Sequence, residues 1–168
     1  MRLNAQTDFS LRILMYLAAK QGEAATIQEV TNKLGLSQAH LMRIAAKLSA
    51  TGLVTAARGR SGGLKLARSA EEITVEDVVK AIEPDFALVQ CFNRTDGVGC
   101  TIEPACLLKG VLYSALNAFF AELRSANLAE LTESNRVDLA EIFRLTDSRL
   151  ESRTGPQIYQ APAQVKRS

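Results

Sequence analysis

At 168 residues, 47% of them apolar, the chain has the length of one compact domain with an appendage rather than of two full domains. No run reaches the ~18 to 20 uninterrupted apolar residues of a membrane span, and the start MRLNAQTDFS lacks a secretory apolar core, so a cytoplasmic protein without membrane attachment is expected. The net charge of +2 conceals an asymmetry, because residues 1–68 carry ten Lys or Arg against three acids (net +7) and residues 69–168 carry ten against fifteen (net −5). This division implies a basic part facing a polyanion, nucleic acid foremost, and an acidic part with another task.

Thr7 reads as the N-cap of a first helix over DFSLRILMYLAAK, which brings Phe9, Ile13, Tyr16 and Leu17 to one face and ends near Gly22. TIQEVTNKLG predicts a second helix, with Thr26 as N-cap, Ile27, Val30 and Leu34 in one stripe, and Gly35 as its stop. Ser37 caps a third, SQAHLMRIAAKLSATG, which turns Leu41, Ile44, Ala45 and Leu48 inward and Gln38, His40, Arg43 and Lys47 outward. Two helices joined by a tight glycine-containing turn, the second polar and basic outside, form the pattern of a helix-turn-helix. LVTAAR and LKLAR then read as short strands joined by GRSGG, with Arg58, Arg60, Lys65 and Arg68 around the turn. Such a hairpin is a wing, and its guanidinium groups suit a narrow, strongly negative groove.

Beyond the wing, Thr74 and Asp77 have the spacing of a capping box that opens VEDVVKAIE, with Val75, Val78, Val79 and Ile82 as the buried face and Pro84 as the end. A loop of about twenty residues follows. A long helix is expected from about Pro104 to Ser125, where Leu108, Leu112, Ala115, Leu116, Phe119 and Leu123 recur at helical spacing and Val111 and Phe120 widen the stripe. A small winged helix does not cover so wide a face, whereas the same helix of a second subunit would. A short helix is expected at LAELTE, and the composition from Thr154 onward, with Pro156 and Pro162, is that of a disordered tail. The expected fold class is mainly α with a small β-hairpin wing. It divides into a winged helix-turn-helix domain over 1–83, a loop over 84–106, a dimerisation helix region over 107–135 and a tail over 136–168.

All three cysteines fall in that loop, as Cys91-x8-Cys100-x5-Cys106, among Gly, Asn, Asp and Thr. Thiols in a polar loop make poor core residues, and an odd number argues against a disulfide framework. Three thiolates suit a metal site that needs one more ligand, since tetrahedral zinc and cubane iron–sulfur centres both use four positions. The one histidine, His40, belongs to the outer face of the third helix, which disfavours a Cys3His zinc site. Zinc with a carboxylate, and oxidation of thiols supported by Arg94 and Lys109, stay open beside a cluster. A cluster with one weaker ligand leaves an iron open to attack, which is the property of a sensor. An electron carrier would also hold a cluster but would not need a basic helix-turn-helix and wing. No Ser-His-Asp set, phosphate-binding glycine loop or dinucleotide fingerprint is present, so an enzyme is not expected.

The third helix supplies Gln38, His40 and Arg43 for base edges, capped by Ser37, with Lys47 and Arg60 for phosphates and Arg58 for the minor groove. A dimer would place two such helices about one turn apart, roughly 34 Å, on a palindromic double-stranded operator.

TDFSLRILMYLA, SQAHLMRIAAKLSATGLVTAARGRSGGLKLA, ITVEDVVKAIEP, LVQC and TIEPACLLKGVL, in this order over roughly residues 1–135, resemble the Rrf2 superfamily of winged-helix regulators. LVQC with CTIEPACLLKG is most similar to its NsrR-type nitric-oxide-sensing repressors. The resemblance implies a homodimeric DNA-binding repressor whose operator affinity changes when nitric oxide reacts with a 4Fe–4S iron–sulfur cluster. It implies Cys91, Cys100 and Cys106 as metal ligands, with Asp8 of the partner subunit as the fourth. The iron-responsive RirA-type repressors are similar in the MRL start and in ALNAFFAEL, and imply the same fold and cluster with iron depletion as the signal.

Overall fold

The computed structural model describes residues 2–57, 62–92, 100–102, 105–133 and 139. In chain order these form α1 (Ala5–Ala19), α2 (Ile27–Leu34), α3 (Gln38–Ala50), β1 (Val54–Ala57), β2 (Gly63–Leu66), α4 (Val75–Ile82), α5 (Leu107–Arg124) and α6 (Leu128–Glu133), with single 3-10 turns at Ala70–Glu72 and Gln90–Phe92.

Side-chain caps set most of these boundaries. Thr26 and Glu29 close a capping box on α2, which ends at Gly35 in the left-handed conformation (φ 64°). Ser37 caps α3, and Thr74 with Asp77 forms the capping box of α4. Helix α1 departs from the expected start at Thr7. Its N-cap is Asn4, whose Oδ1 accepts the Thr7 N–H at 2.9 Å, and Thr7 is fully buried inside the helix. Asn4 prevails through a tertiary tie: its backbone N–H and Nδ2 donate to the two carboxylate oxygens of Glu83, each at 2.8 Å.

The apolar faces converge on one core built from Ile13, Leu14, Tyr16 and Leu17 of α1, Val30 of α2, Leu41, Ile44 and Leu48 of α3, and Val78 and Ile82 of α4, closed by Leu53, Val54, Leu64 and Ile73. Each such side chain stabilises the fold by roughly 1.5–3 kcal/mol. Leu128 of α6 joins the same core, and the Leu128 N–H donates to Ile73 O at 2.9 Å. The core therefore runs past residue 83, the boundary the sequence suggests, because the chain after α5 returns to pair beside Ile73–Val75.

The hairpin pairs Val54 with Leu66 and Ala57 with Gly63 in antiparallel register. Ala25 adds a bridge to Leu64, with both backbone hydrogen bonds at 2.8 Å. The approach is close enough that a Cβ on Gly63 would stand 2.2 Å from the Ala25 carbonyl oxygen, so only glycine fits. The turn carrying Arg58 and Arg60 lies outside the described residues, as does the tail except Leu139, which packs on the core.

Helix α5 meets α4 through Phe120 and Arg124 in its C-terminal half. Phe120 is buried there against Phe86, with ring centroids 4.8 Å apart, and the Lys80 ammonium sits 4.8 Å from the Phe120 ring centroid. The N-terminal half leaves Leu107, Leu108, Val111 and Tyr113 between 60% and 87% exposed. No helix among the described residues is long and apolar enough to cross a membrane.

Glu76 takes the buried position on α4 that the sequence assigns to Val75, which is half-buried. An acidic side chain is tolerated there because Arg124 of α5 grips it in bidentate fashion, Nε to Oε2 at 2.6 Å and Nη2 to Oε1 at 2.8 Å, while the Lys80 Nζ stands 2.7 Å from Oε1. The hydrogen bonds from Arg124 and then Lys80 hold the Glu76 carboxyl down at about 2, from an ordinary 4.5. A carboxyl lowered on folding stabilises the native state above its unfolded value and loses that effect as pH falls toward the folded value. The melting temperature is therefore expected to fall between pH 4.5 and 2 less steeply in Glu76→Gln than in the parent, despite lower stability of the variant at neutral pH. Parallel profiles across that window would show that the ion pair contributes nothing.

Candidate nucleic-acid interface and cysteine pocket

The inward face of α3 is the one its spacing predicts: Leu41, Ile44, Ala45 and Leu48 are buried. Its outer residues divide into two groups. Gln38 and Arg43 are exposed, and Ser37 beside them accepts the His40 N–H on its Oγ at 3.3 Å. His40 and Lys47, read as outward from polarity alone, are half-buried and turn toward their own domain. The His40 ring stands edge-on to Phe9 of α1 at 5.0 Å. The Lys47 Nζ donates to Ile82 O at 2.6 Å and to Gln6 Oε1 at 3.4 Å. Ile82 ends α4, where carbonyls lack intrahelical partners and carry the negative end of the helix dipole, so an ammonium on a long apolar stem is well placed there. On the hairpin, Lys65 and Arg68 are exposed, and the Arg68 Nη1 reaches Glu72 O at 3.5 Å.

Helix α1 backs this surface. Tyr16 donates to Glu29 Oε1 at 2.5 Å and the Lys20 Nζ to the same oxygen at 2.7 Å, which ties α1 to α2. Burial, with Glu29 next to it, pushes the Tyr16 phenol well above its ordinary value. Burial also opposes ionisation of Glu29, but the hydrogen bonds from Lys20 and Tyr16 outweigh it and leave that carboxyl lowered. Asp8 lies on the surface of the first turn of α1, paired with Arg12 one turn on, Nη2 to Oδ2 at 2.7 Å. The Arg12 guanidinium stands 5.7 Å from the centroid of Phe9, the residue on which His40 packs.

The cysteines come together at the root of α5. Cys91 lies on the 3-10 turn Gln90–Phe92, Cys106 is the residue that caps α5, and Cys100 lies between them in sequence. All three line one pocket of about 530 Å³, walled by Val89, Ile102, Leu108 and Leu112, with Gln90, Thr101 and Lys109 at its edge. Asp8 and His40 do not line it. Among the described residues no group of three or more His, Cys, Asp or Glu could hold one metal ion. A lone zinc ion needs four donors within about 2.0–2.3 Å of one point, whereas a polynuclear cluster spreads its thiolates around a larger body. Three soft donors around an apolar hollow have the chemistry that zinc and iron–sulfur centres both use. Another hollow, about 380 Å³ between α1, α6 and Leu66–Glu71, mixes Arg68 with Glu71 and Glu133 and gathers no set of ligands.

Residues 3–134, a span from the N-cap region of α1 through α6, match the Rrf2 family, described as iron-dependent transcriptional regulators. The chain belongs to the Rrf2 family. Like other Rrf2 proteins it is a DNA-binding transcriptional regulator and not an enzyme. It is 36% identical over 148 residues to the HTH-type transcriptional regulator NsrR of Bacillus subtilis (strain 168), which covers 88% of this chain and all of the relative. Among solved structures, B. subtilis CymR, a global cysteine regulator, superposes with a TM-score of 0.66 at 24% identity over 79% of this chain and 97% of its own. T. potens IscR superposes at 0.62 with 21% identity, over 79% of this chain and 87% of its own. These two likenesses establish the Rrf2 winged-helix fold, mainly α with one hairpin.

The Lys47 geometry separates two roles. A phosphate contact would make Lys47→Met lower the slope of log affinity against log salt by about 0.9. If Lys47 is instead committed to Ile82, the same substitution leaves the slope unchanged and lowers unfolding stability by about 1 kcal/mol, as read by urea denaturation. A reduced slope with unchanged stability would return Lys47 to the DNA surface.

Proposed function

We propose that this Rrf2 protein is a transcriptional repressor whose operator affinity is set by an iron–sulfur cluster responsive to nitric oxide. The observation that carries the reading is the meeting of Cys91, Cys100 and Cys106 in one apolar-walled pocket at the start of α5. The 36% identity to a regulator named NsrR supports it. Cys91, Cys100 and Cys106 hold the cluster, within a cluster-binding loop over 84–106, and Asp8 of the partner subunit supplies a fourth, weaker ligand. When bound, a 4Fe–4S cluster supplies an iron site open to nitric oxide.

The chain's own residues do the rest. The bare apolar face of α5, from Leu107 through Val111 to Ala115, packs on its equivalent in a homodimer. Asp8 has an alternative partner one turn along its own helix, Arg12, so release from the pocket leaves no charge unpaired. Gln38 and Arg43 read base edges from the exposed side of α3, with Ser37 fixing the helix start. His40 and Lys47 brace α3 against α1 and α4 and so hold the reading angle. Arg58 and Arg60 of the wing engage the minor groove and phosphates, and the paired subunits read a palindromic operator. A coupling of only about 1–3 kcal/mol between pocket and operator changes affinity 5- to 150-fold, enough to switch repression.

The family description, iron-dependent, favours a second reading in which iron depletion is the signal. Anaerobically purified protein, assayed for iron and acid-labile sulfide and titrated with nitric oxide and separately with a chelator during operator binding, distinguishes them. Loss of binding at stoichiometric nitric oxide, before the chelator acts, is expected, and so is blunted sensitivity in an Asp8→Ala variant that still assembles the cluster. Sensitivity to the chelator alone selects the iron reading. Colourless, sulfide-free protein after reconstitution would end both, and a monomer in sedimentation would remove the shared face of α5.

A further inference from the structure

The middle of the exposed face of α3 is not polar. At 100° per residue, Ala39, Met42 and Ala46 run down its centre, with Gln38 on one flank and Arg43 on the other, and all five are exposed. Met42 is 51% exposed. The other large apolar side chains left more than half open among the described residues belong to α5 or, in the case of Ile102, line the cysteine pocket. Packing does not account for Met42, because Leu41, Ile44, Ala45 and Leu48 on the opposite side already bury α3 in the core.

The helix occupies the recognition position of a helix-turn-helix, in the basic part of a DNA-binding regulator, so what would cover this strip is the floor of a major groove. That floor displays one apolar group, the C5-methyl of thymine. We propose that Met42, flanked by Ala39 and Ala46, is a specificity-determining residue that reads thymine methyl groups in the operator. From Ala39 to Ala46 the strip extends about 10 Å along the helix axis, which matches about three base-pair steps. The flexible thioether of Met42 can settle against a methyl without demanding one rigid geometry. Gln38 on one flank suits the N6 and N7 edge of adenine, and Arg43 on the other suits the O6 and N7 edge of guanine. The half-site therefore carries thymine at the position facing Met42, bounded by purines that the two polar side chains select. The inference rests on α3 entering the major groove, as the proposed function requires.

The test begins with full-length protein, cluster-loaded and iron-stripped in parallel, selecting duplexes from a randomised pool. Each thymine of the enriched half-site is then replaced singly by deoxyuridine, which deletes the methyl and leaves the hydrogen-bonding edge unchanged. At one or two positions the parent protein is expected to lose about four-fold in affinity, the equivalent of one buried methyl group at ~0.8 kcal/mol. Met42→Ala is expected to bind the thymine and deoxyuridine duplexes equally at those positions and to keep its discrimination at the purines beside them. Met42→Gln should shift the preference there from thymine to adenine. If a sequence is enriched but no deoxyuridine exchange weakens the parent, or Met42→Ala suffers the same loss, the role of Met42 is overturned while groove reading by α3 stands. If no sequence is enriched in either state, groove reading by α3 fails, and this inference with it.

Discussion

An ammonium seated under a helix end organises this molecule. The Lys47 Nζ lies 2.6 Å from the carbonyl of Ile82, the last residue of α4, where the helix dipole is negative and the carbonyl has no partner within the helix. One residue on, Glu83 takes two hydrogen bonds from Asn4, the cap of α1. The recognition helix, the first turn of the helix that bears Asp8 and the last turn before the cysteine loop thus share one small polar junction. Such groups tolerate little slack, because separating a charge-assisted bond at a partly buried site leaves a charge without its partner.

Helix α4 has a second fixed end. Arg124 holds Glu76 from the far end of α5, and Phe86 and Lys80 pack on Phe120, while the opposite end of α5 begins at Cys106. Between the pocket and α3 the chain of contacts therefore runs through α5 and α4, with α4 held at one end by Arg124 and at the other by Lys47. In the proposed mechanism a change at the pocket needs no long conformational path. A shift of α5 or of Asp8 acts on α4 or on α1, and both end on Lys47. Only a kcal/mol or so has to arrive there for repression to change several-fold.

How far the sequence could be read follows from where the deciding contacts lie. Thr26, Ser37 and Thr74 were legible as caps because a cap bonds within three residues of itself. Thr7 was not the cap of α1, because what favours Asn4 is Glu83, 79 residues away. Glu76 in the core and Leu128 beside Ile73 were hidden for the same reason, their partners Arg124 and the chain before α4 being remote. At the DNA face, the inward stripe of α3 follows from periodicity, but His40 and Lys47 do not point where polarity suggests, since Phe9 and Ile82 claim them. Met42 carries no signal of its exposure in the sequence, because an apolar residue is ordinarily assigned to a core. The cysteine trio was visible as a cluster in sequence and does line one pocket, whereas Asp8 had no local signal beyond an acid in a first turn, and only resemblance singled it out.

Coupling through the Lys47 junction is tested most directly by backbone amide hydrogen exchange on the full chain, cluster-loaded against iron-stripped. Removal of iron should speed exchange in the last turn of α3 and in Val79–Glu83, with α2 unchanged. Equal protection of α3 and α4 in the two states, under conditions where operator affinity differs, would contradict it.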